Sequence, residues 1–239
     1  MKGFYESSGV HGYSQIPRLE TAMTLLKNVK ANRVLDLGCG DGTISCKIGS
    51  LVSAQEIHGA DISKEAVRRA LSRGVKAIQL DLNEQKMPFI RGSFDLVVAL
   101  ELIEHLTDPD GVIEEMARVL SFGGLILLST PNLANWMNRI TILFGFQPWG
   151  TEVSTRMANF GKAFAKQETP VGHLRMFTLR SFKEFILFHG LCVKEVRGAN
   201  FSQNGFLGLL DSILSRQPSL APVIIFLLGK DTRALSISE

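Results

Sequence analysis

The sequence predicts an α/β fold that is doubly wound around a mostly parallel β-sheet. From residue 32 onward, short β-rich apolar runs alternate with helical patterns, which is typical of successive βαβ units. The chain has 239 residues, of which 45% are hydrophobic, so one domain can bury a sizeable core. No internal repeat or low-complexity segment is visible in the sequence. We therefore expect a single domain over residues 1–239.

The strand pattern predicts a seven-stranded sheet. Five apolar runs form its first part, and two more follow near the end of the chain. No convincing helical pattern makes the last two runs parallel neighbours, so we expect an antiparallel closing pair. The predicted strands cover residues 33–37, 56–61, 76–80, 94–99, 125–129, 191–197 and 222–228.

The helical patterns divide the predicted domain into four parts. The helix over 109–120 is the clearest, because Val112, Ile113, Met116 and Val119 form one apolar stripe after an N-terminal cap. Other helices are predicted over 15–30, 43–51, 64–73 and 178–189. The parts are an N-terminal helical cap (1–31), a core (32–131), an insertion (132–177) and a C-terminal helix with the closing strands (178–239).

The insertion is too long for an ordinary connection and is rich in aromatic residues. Two interpretations remain open. It could be a core helix or a dimer contact, or it could be a lid over a substrate pocket. Its aromatic residues are Trp136, Phe144, Phe146, Trp149 and Phe164.

Composition excludes several classes of protein. The formal net charge of +3 is too small for an electrostatic nucleic-acid footprint. Three cysteines without a CxxC spacing indicate neither a disulfide framework nor a thiolate zinc site. Residues 1–8 lack the apolar region of a signal peptide, and the apolar run 220–229 is too short to cross a bilayer. We expect a cytoplasmic protein.

A glycine-rich turn follows the first predicted strand. The segment from Asp36 to Thr43 carries Gly38, Gly40 and Gly42 just before a helix, and such a turn lets a ligand approach the backbone closely. A dinucleotide fingerprint requires G-x-G-x-x-G/A, whereas the third glycine here comes one residue too early. This spacing argues against a dinucleotide cofactor.

The motifs after strands one to five, in order, resemble those of class I S-adenosylmethionine-dependent methyltransferases. Residues 34–42 match the first motif, residues 58–63 match the acidic end of strand two, and residues 80–82 are similar to the corner after strand three. The resemblance implies a Rossmann-like fold and S-adenosylmethionine as cofactor. It implies that Asp61 accepts hydrogen bonds from the ribose hydroxyls and that Asp36 helps to hold the methionine end. The cofactor-binding residues it implies are Asp36, Gly38, Cys39, Gly40, Gly42, Asp61, Ile62, Asp81, Leu82 and Leu100.

A second group of polar residues follows strand four. On a helical turn, the i, i+3, i+4 spacing would bring Glu101, Glu104 and His105 to one face, and His173 at the end of the insertion is a fourth candidate. The pattern resembles metal-dependent O-methyltransferases that act on vicinal hydroxyls, including those of ubiquinone biosynthesis and those that modify the terminal ribose of small RNAs. The resemblance implies that all four residues hold a divalent cation such as Mg, Mn, Fe or Zn.

The same residues also allow a metal-free interpretation. Glu104 would then fix the local helix, and His105 would act as a general base or pack against the cofactor. In either interpretation the candidate catalytic residues are His105, Glu104 and His173.

The leading hypothesis is methyl transfer to a small or lipid-like acceptor, most readily at oxygen, and the aromatic insertion favours an apolar acceptor. A nucleic-acid methyltransferase is a second hypothesis, although the small net charge argues against nucleic acid as partner. A catalytically silent cofactor-binding subunit is a third hypothesis. The sequence predicts no transmembrane segment, and it does not indicate an oligomeric state. The basic residues that could meet phosphates are Arg139, Arg156, Lys162, Lys166 and Arg175.

Overall fold

The protein folds around one twisted β-sheet with helices on both faces. The structure is a computed structural model, and it describes residues 17–163, 169–201 and 205–230. Within these residues the sheet has seven strands in the order β3-β2-β1-β4-β5-β7-β6. The strands are β1 (Arg33–Leu37), β2 (Glu56–Asp61), β3 (Lys76–Gln79), β4 (Phe94–Leu100), β5 (Leu120–Pro131), β6 (Leu191–Ala199) and β7 (Val223–Lys230).

Helices connect the strands. A 3-10 turn, Ile103–His105, follows β4, and the α-helix after it begins at an Asp108 cap, as predicted. The α-helices are α1 (Pro17–Leu26), α2 (Thr43–Val52), α3 (Lys64–Ser72), α4 (Pro109–Val119), α5 (Trp136–Leu143), α6 (Leu179–Phe188) and α7 (Gly205–Leu214).

The predicted strand directions are confirmed. Strands β1 to β5 pair in parallel, and β7 pairs antiparallel with both β5 and β6. In this register Asp36 on β1 lies beside Gly59 of β2 and Val98 of β4. The carboxyl ends of the central parallel strands therefore meet at one edge, where open α/β sheets bind ligands.

Two layers of helices bury the two faces of the sheet. One face carries a large apolar cluster that includes Phe94, Ile113 and Phe182. The other face packs Leu26 of α1 and Ile48 of α2 against β1, β4 and β7. Burial on both faces explains why the central strands read as continuous apolar runs rather than alternating ones.

The structure differs from the prediction at several boundaries and in its helix content. Strand β5, for example, begins at Leu120 rather than at residue 125. The first helix ends at Leu26 rather than at residue 30, since Val29 donates its N–H to the Leu26 carbonyl in a turn. The insertion contains one helix, α5, within residues 132–163 and 169–177. Helix α7 was not predicted at all, and it is joined to α5 by a hydrogen bond of 2.9 Å from Trp136 Nε1 to Asp211 Oδ1.

None of the helices that the structure describes is long and apolar enough to span a bilayer. Several sequence features lie outside the described residues: the segment 1–16, Phe164, Lys166 and the segment 231–239.

Candidate active site

A cavity of about 1110 Å³ opens at the carboxyl edge of the parallel strands. Its first half is lined by the glycine-rich turn and by the ends of β2 and β3. Its second half is lined by residues that follow β4 and by the insertion, among them Trp149 and His173. The cavity therefore joins the two groups of candidate residues in one space.

The glycine-rich turn needs its glycines. Gly38, Gly40 and Gly42 have φ angles of 72°, 54° and 80°, in the left-handed region that side chains disfavour. The turn is held to β2 because the N–H groups of Gly38 and Cys39 both donate to the Ala60 carbonyl. A Cβ on Gly40 would meet no atom within 4 Å, so the backbone is open to the cavity at that residue.

Asp61 ends β2 directly beside this turn. Its Oδ2 accepts from the N–H of Gly40 at 2.9 Å, and its Oδ1 accepts from the N–H of Ser63 at 2.8 Å. The carboxylate is thereby fixed between the turn and the start of α3. Each oxygen can accept a further hydrogen bond, which is what binding of two adjacent hydroxyls requires.

Asp36 is buried at the end of β1, where it is only 4% exposed. Burial raises the pKa of its carboxyl to about 7, against an opposing hydrogen bond from Ser45 and with a smaller contribution from the charge of Asp61. The Ser45 hydroxyl donates to Asp36 Oδ2 at 2.5 Å. Asp36 therefore lies at the balance point between its charged and neutral forms near neutral pH.

The remaining predicted cofactor residues divide into two sets. Ile62, Asp81, Leu82, Leu100 and the buried Cys39 all line the cavity, as Asp36 and Asp61 do. Gly42 does not, because it packs against α3, where a Cβ would lie 3.1 Å from the Ala70 backbone. Its role in this structure is therefore close packing of the turn.

In the second half of the cavity, Glu104, His105 and His173 come together. One potential ligand atom from each residue lies within 4.8 Å of the other two. The His105 and His173 rings are 4.9 Å apart, and His105 Nε2 lies 4.0 Å from Glu104 Oε1. The returning insertion is attached here, since the N–H groups of Leu174 and Arg175 both donate to the Glu104 carbonyl.

Glu101 does not join this group, contrary to the predicted helical spacing. The 3-10 turn starts only at Ile103, and Glu101 itself has a φ of 52°, so the two glutamates do not share a helical face. Its carboxylate is paired with Arg18 at 3.0 Å and accepts from the Ser129 hydroxyl at 2.8 Å. It still lines the cavity, beside the three-residue group rather than within it.

The charge state of Glu104 is set by its burial. Desolvation raises the pKa of its carboxyl well above the ordinary range, and the charge of nearby Glu101 adds to this. Oε2 accepts from Thr130 Oγ1 at 3.2 Å, but Oε1 has no hydrogen-bond partner among the described residues. A buried carboxylate oxygen without a partner is costly unless a cation or proton occupies it.

The imidazole of His105 is neutral at physiological pH. Burial, with a smaller contribution from the neighbouring His173, lowers its pKa to about 4. Neutral imidazole is the form that binds metal ions. The same low pKa makes His105 a weak proton acceptor in this environment.

Comparison with known proteins agrees with this geometry. Residues 28–167, more than half of the chain, match the family model described as a methyltransferase domain. The chain belongs to this family. It is a class I S-adenosylmethionine-dependent methyltransferase domain, in agreement with the strand order, the glycine-rich turn and Asp61.

Relatives with a named activity are similar to about half of the chain. The ubiquinone biosynthesis O-methyltransferase of Xanthomonas oryzae pv. oryzae is 33% identical over 130 residues, which cover 52% of this chain and 51% of that protein. The chain thus spans about half the length of the curated relatives it matches.

Solved structures share the fold at low sequence identity. A putative methyltransferase in complex with the Trm112 activator from Haloferax volcanii has a TM-score of 0.63 at 16% identity, covering 89% of this chain and 88% of that one. An S-adenosylmethionine-dependent methyltransferase from Mesorhizobium loti has a TM-score of 0.61 at 16% identity, covering 91% and 99%.

Several polar residues of the site were not predicted from the sequence. Ser45 and Thr130 donate to the two buried carboxylates, Arg18 pairs with Glu101, and Glu152 lines the cavity beside the histidines. Each of them is distant in sequence from the group that it contacts, or lies on a different helix or strand. No local spacing in the sequence therefore predicts these contacts.

Proposed function

We propose that this domain transfers the methyl group of S-adenosylmethionine to a hydroxyl oxygen of a small organic acceptor, with a divalent cation at Glu104, His105 and His173. The observation that carries the proposal is the unpartnered Oε1 of buried Glu104 beside two histidine rings in the second half of the cavity. The similarity to the ubiquinone biosynthesis O-methyltransferases of Xanthomonas supports transfer to oxygen.

The residues present fit such a cation. One carboxylate and two imidazoles form a mixed donor set that suits Mg, Mn, Fe or Zn. The ligand atoms already lie within 4.8 Å of one another, and a cation would supply the missing partner of Glu104 Oε1. When bound, it would lower the pKa of an acceptor hydroxyl and orient it.

The protein's own residues supply the rest. The donor is held by the glycine-rich turn and Asp61, and the acceptor enters the other half of the same cavity. This arrangement brings the nucleophile and the methyl group together without a covalent intermediate, so positioning provides much of the rate. Neutral His105 neither repels a cation nor needs to lose a proton to bind one.

The acceptor half favours a partly apolar small molecule over nucleic acid. Trp149, Ala158, Val171 and Phe201 line it. Of the candidate phosphate contacts in the insertion, Arg139 donates to the backbone carbonyls of residues 134 and 219, and Arg175 donates to the Thr107 carbonyl. Lys166 lies outside the described residues. Arg139 and Arg175 thus hold the insertion to backbone carbonyls, whereas Arg156 is exposed and Lys162 lines the cavity.

The test is methyl transfer to catechol and to 3,4-dihydroxybenzoate, with phenol as the acceptor that lacks a vicinal hydroxyl. We expect S-adenosylhomocysteine to form with the diols, to disappear with a chelator and to return with Mn²⁺ or Mg²⁺. His105→Ala and His173→Ala should each abolish cation-dependent turnover. His189→Ala is the matched control, because His189 pairs with Asp110 away from the cavity.

Three results would contradict the proposal in different ways. Full activity in chelator, with His105→Ala inactive, would make His105 a general base without a cation. Methyl transfer to RNA that weakens steeply with salt, with no turnover of the diols, would favour the nucleic-acid alternative. Donor binding without turnover of any acceptor would favour the silent subunit.

A further inference from the structure

Glu152 joins two segments of the insertion next to the histidines. Its Oε1 accepts from the backbone N–H of Val171 at 2.5 Å, and its Oε2 accepts from that of Gly172 at 2.9 Å. Both carboxylate oxygens thus accept charge-assisted hydrogen bonds from two consecutive backbone N–H groups. Glu152 therefore ties residues 150–152 to residues 171–173.

Each segment supplies the carbonyl that orients one histidine. His105 Nδ1 lies 3.1 Å from the Gly172 carbonyl oxygen, and His173 Nδ1 lies 2.9 Å from the Gly150 carbonyl oxygen. Because a carbonyl can only accept, each neutral ring must carry its proton on Nδ1. Nε2 is then left with its lone pair, which is the form that ligates a metal.

Both segments are anchored beside the two carbonyls rather than at them: Asn138 binds the N–H and the carbonyl of Trp149, and Leu174 and Arg175 donate to the Glu104 carbonyl. Gly150 and Gly172, which carry the two carbonyls, have φ angles of 89° and 81°, in the left-handed region that side chains disfavour. Neither residue lies in a helix or strand. The Glu152 carboxylate adds to these anchors a direct link between the two glycine-containing segments.

We infer that Glu152 is a positioning residue, which fixes the ring orientation and the Nδ1–H tautomer of His105 and His173. The tautomer part of this inference stands on the hydrogen bonds alone. Its consequence for cation affinity rests on the proposed function. Outer residues of this kind usually change metal affinity by 10- to 100-fold when they are removed.

The first experiment reads the tautomers directly, without a cation or an acceptor. Long-range ¹H–¹⁵N spectra of the imidazoles at pH 8 should show the wild-type His105 and His173 protonated at Nδ1, with the signals assigned from His105→Gln and His173→Gln. In Glu152→Ala both rings should shift toward the Nε2–H form, which free histidine prefers in water. Glu184→Gln, which removes an exposed carboxylate of α6, should leave them unchanged.

The second experiment measures Mn²⁺ affinity by electron paramagnetic resonance. Glu152→Ala should bind Mn²⁺ roughly tenfold or more weakly than the wild type. Its affinity for S-adenosylhomocysteine, measured by calorimetry, should remain within twofold, because the donor half is held by other contacts. If Glu152→Ala fails to bind S-adenosylhomocysteine, Glu152→Gln decides, since it keeps one acceptor and should show a smaller change in the same direction.

The outcomes separate the two ideas. Unchanged tautomers and unchanged Mn²⁺ affinity in folded Glu152 variants would overturn the positioning role. A wild-type protein that binds no Mn²⁺, but whose tautomers change in Glu152→Ala, would refute the cation in the proposed function and support the positioning role.

Discussion

Replacing Asp36 by asparagine should make the protein without bound donor more stable, and increasingly so as the pH rises. Burial raises the folded-state pKa of Asp36 to about 7 from an ordinary 3.8. The folded state therefore binds more protons than the unfolded state between these values, and stability must fall as the pH rises through this window. Below pH 4 both states are protonated and the effect vanishes.

The magnitude follows from the difference between the two pKa values. A pKa shift of this size lowers the free energy of unfolding of the wild type by about 4 kcal/mol above pH 7. Between pH 5 and pH 8 the advantage of Asp36→Asn should grow by about 2 to 3 kcal/mol. Asparagine keeps the shape and can still accept the Ser45 hydrogen bond.

Urea unfolding at pH 5, 6, 7 and 8, without donor, measures this difference. Glu84→Gln removes an exposed carboxylate and serves as the control, so its curve against pH should run parallel to that of the wild type. Parallel curves for Asp36→Asn and the wild type would refute the reasoning, because they would mean that the buried carboxyl titrates as in the unfolded chain. Other buried groups are present in both proteins and cancel in the comparison.

Three further predictions concern the cavity and its turn. Asp61→Ala should weaken S-adenosylhomocysteine binding by a few kcal/mol in calorimetry through lost charge-assisted hydrogen bonds, whereas unchanged affinity would remove Asp61 from the donor site. Gly42→Ala should destabilise the protein more than Gly74→Ala, since both have positive φ angles but only Gly42 would clash, and equal unfolding midpoints would contradict this. Limited proteolysis of residues 144–163 should slow when S-adenosylhomocysteine and catechol are added together, and identical rates would favour a structural or dimer role for the insertion.

The donor half of the site could be predicted from sequence because its signals are local. The turn from Asp36 to Gly42 is one motif, and Asp61 ends the next strand. Parallel pairing then brings both to one edge of the sheet. The antiparallel closing pair was also predicted correctly, but the reason was wrong, since helix α7 does lie between β6 and β7.

The acceptor half could be predicted only in part. The spacing of Glu101, Glu104 and His105 assumes a regular α-helix, and the left-handed backbone at Glu101 breaks that assumption. Helix α7 was missed because its exposed positions include Leu207, Leu209 and Ile213, so no polar face marks its period. The bonds of Glu152 join residues about 20 positions apart through irregular backbone, which no periodic pattern reveals.

The two halves of the cavity also differ in the length of the chain loop that their hydrogen bonds close. The bond from Gly40 to Asp61 spans 21 residues, whereas the bond from His105 to Gly172 spans 67. Closing the longer loop costs about 1 kcal/mol more in entropy, so we expect the acceptor half to assemble after the donor half during folding. His173 also lies beyond the family match, which ends at residue 167. A change in the returning segment would therefore alter the acceptor half while leaving the contacts of the donor turn in place.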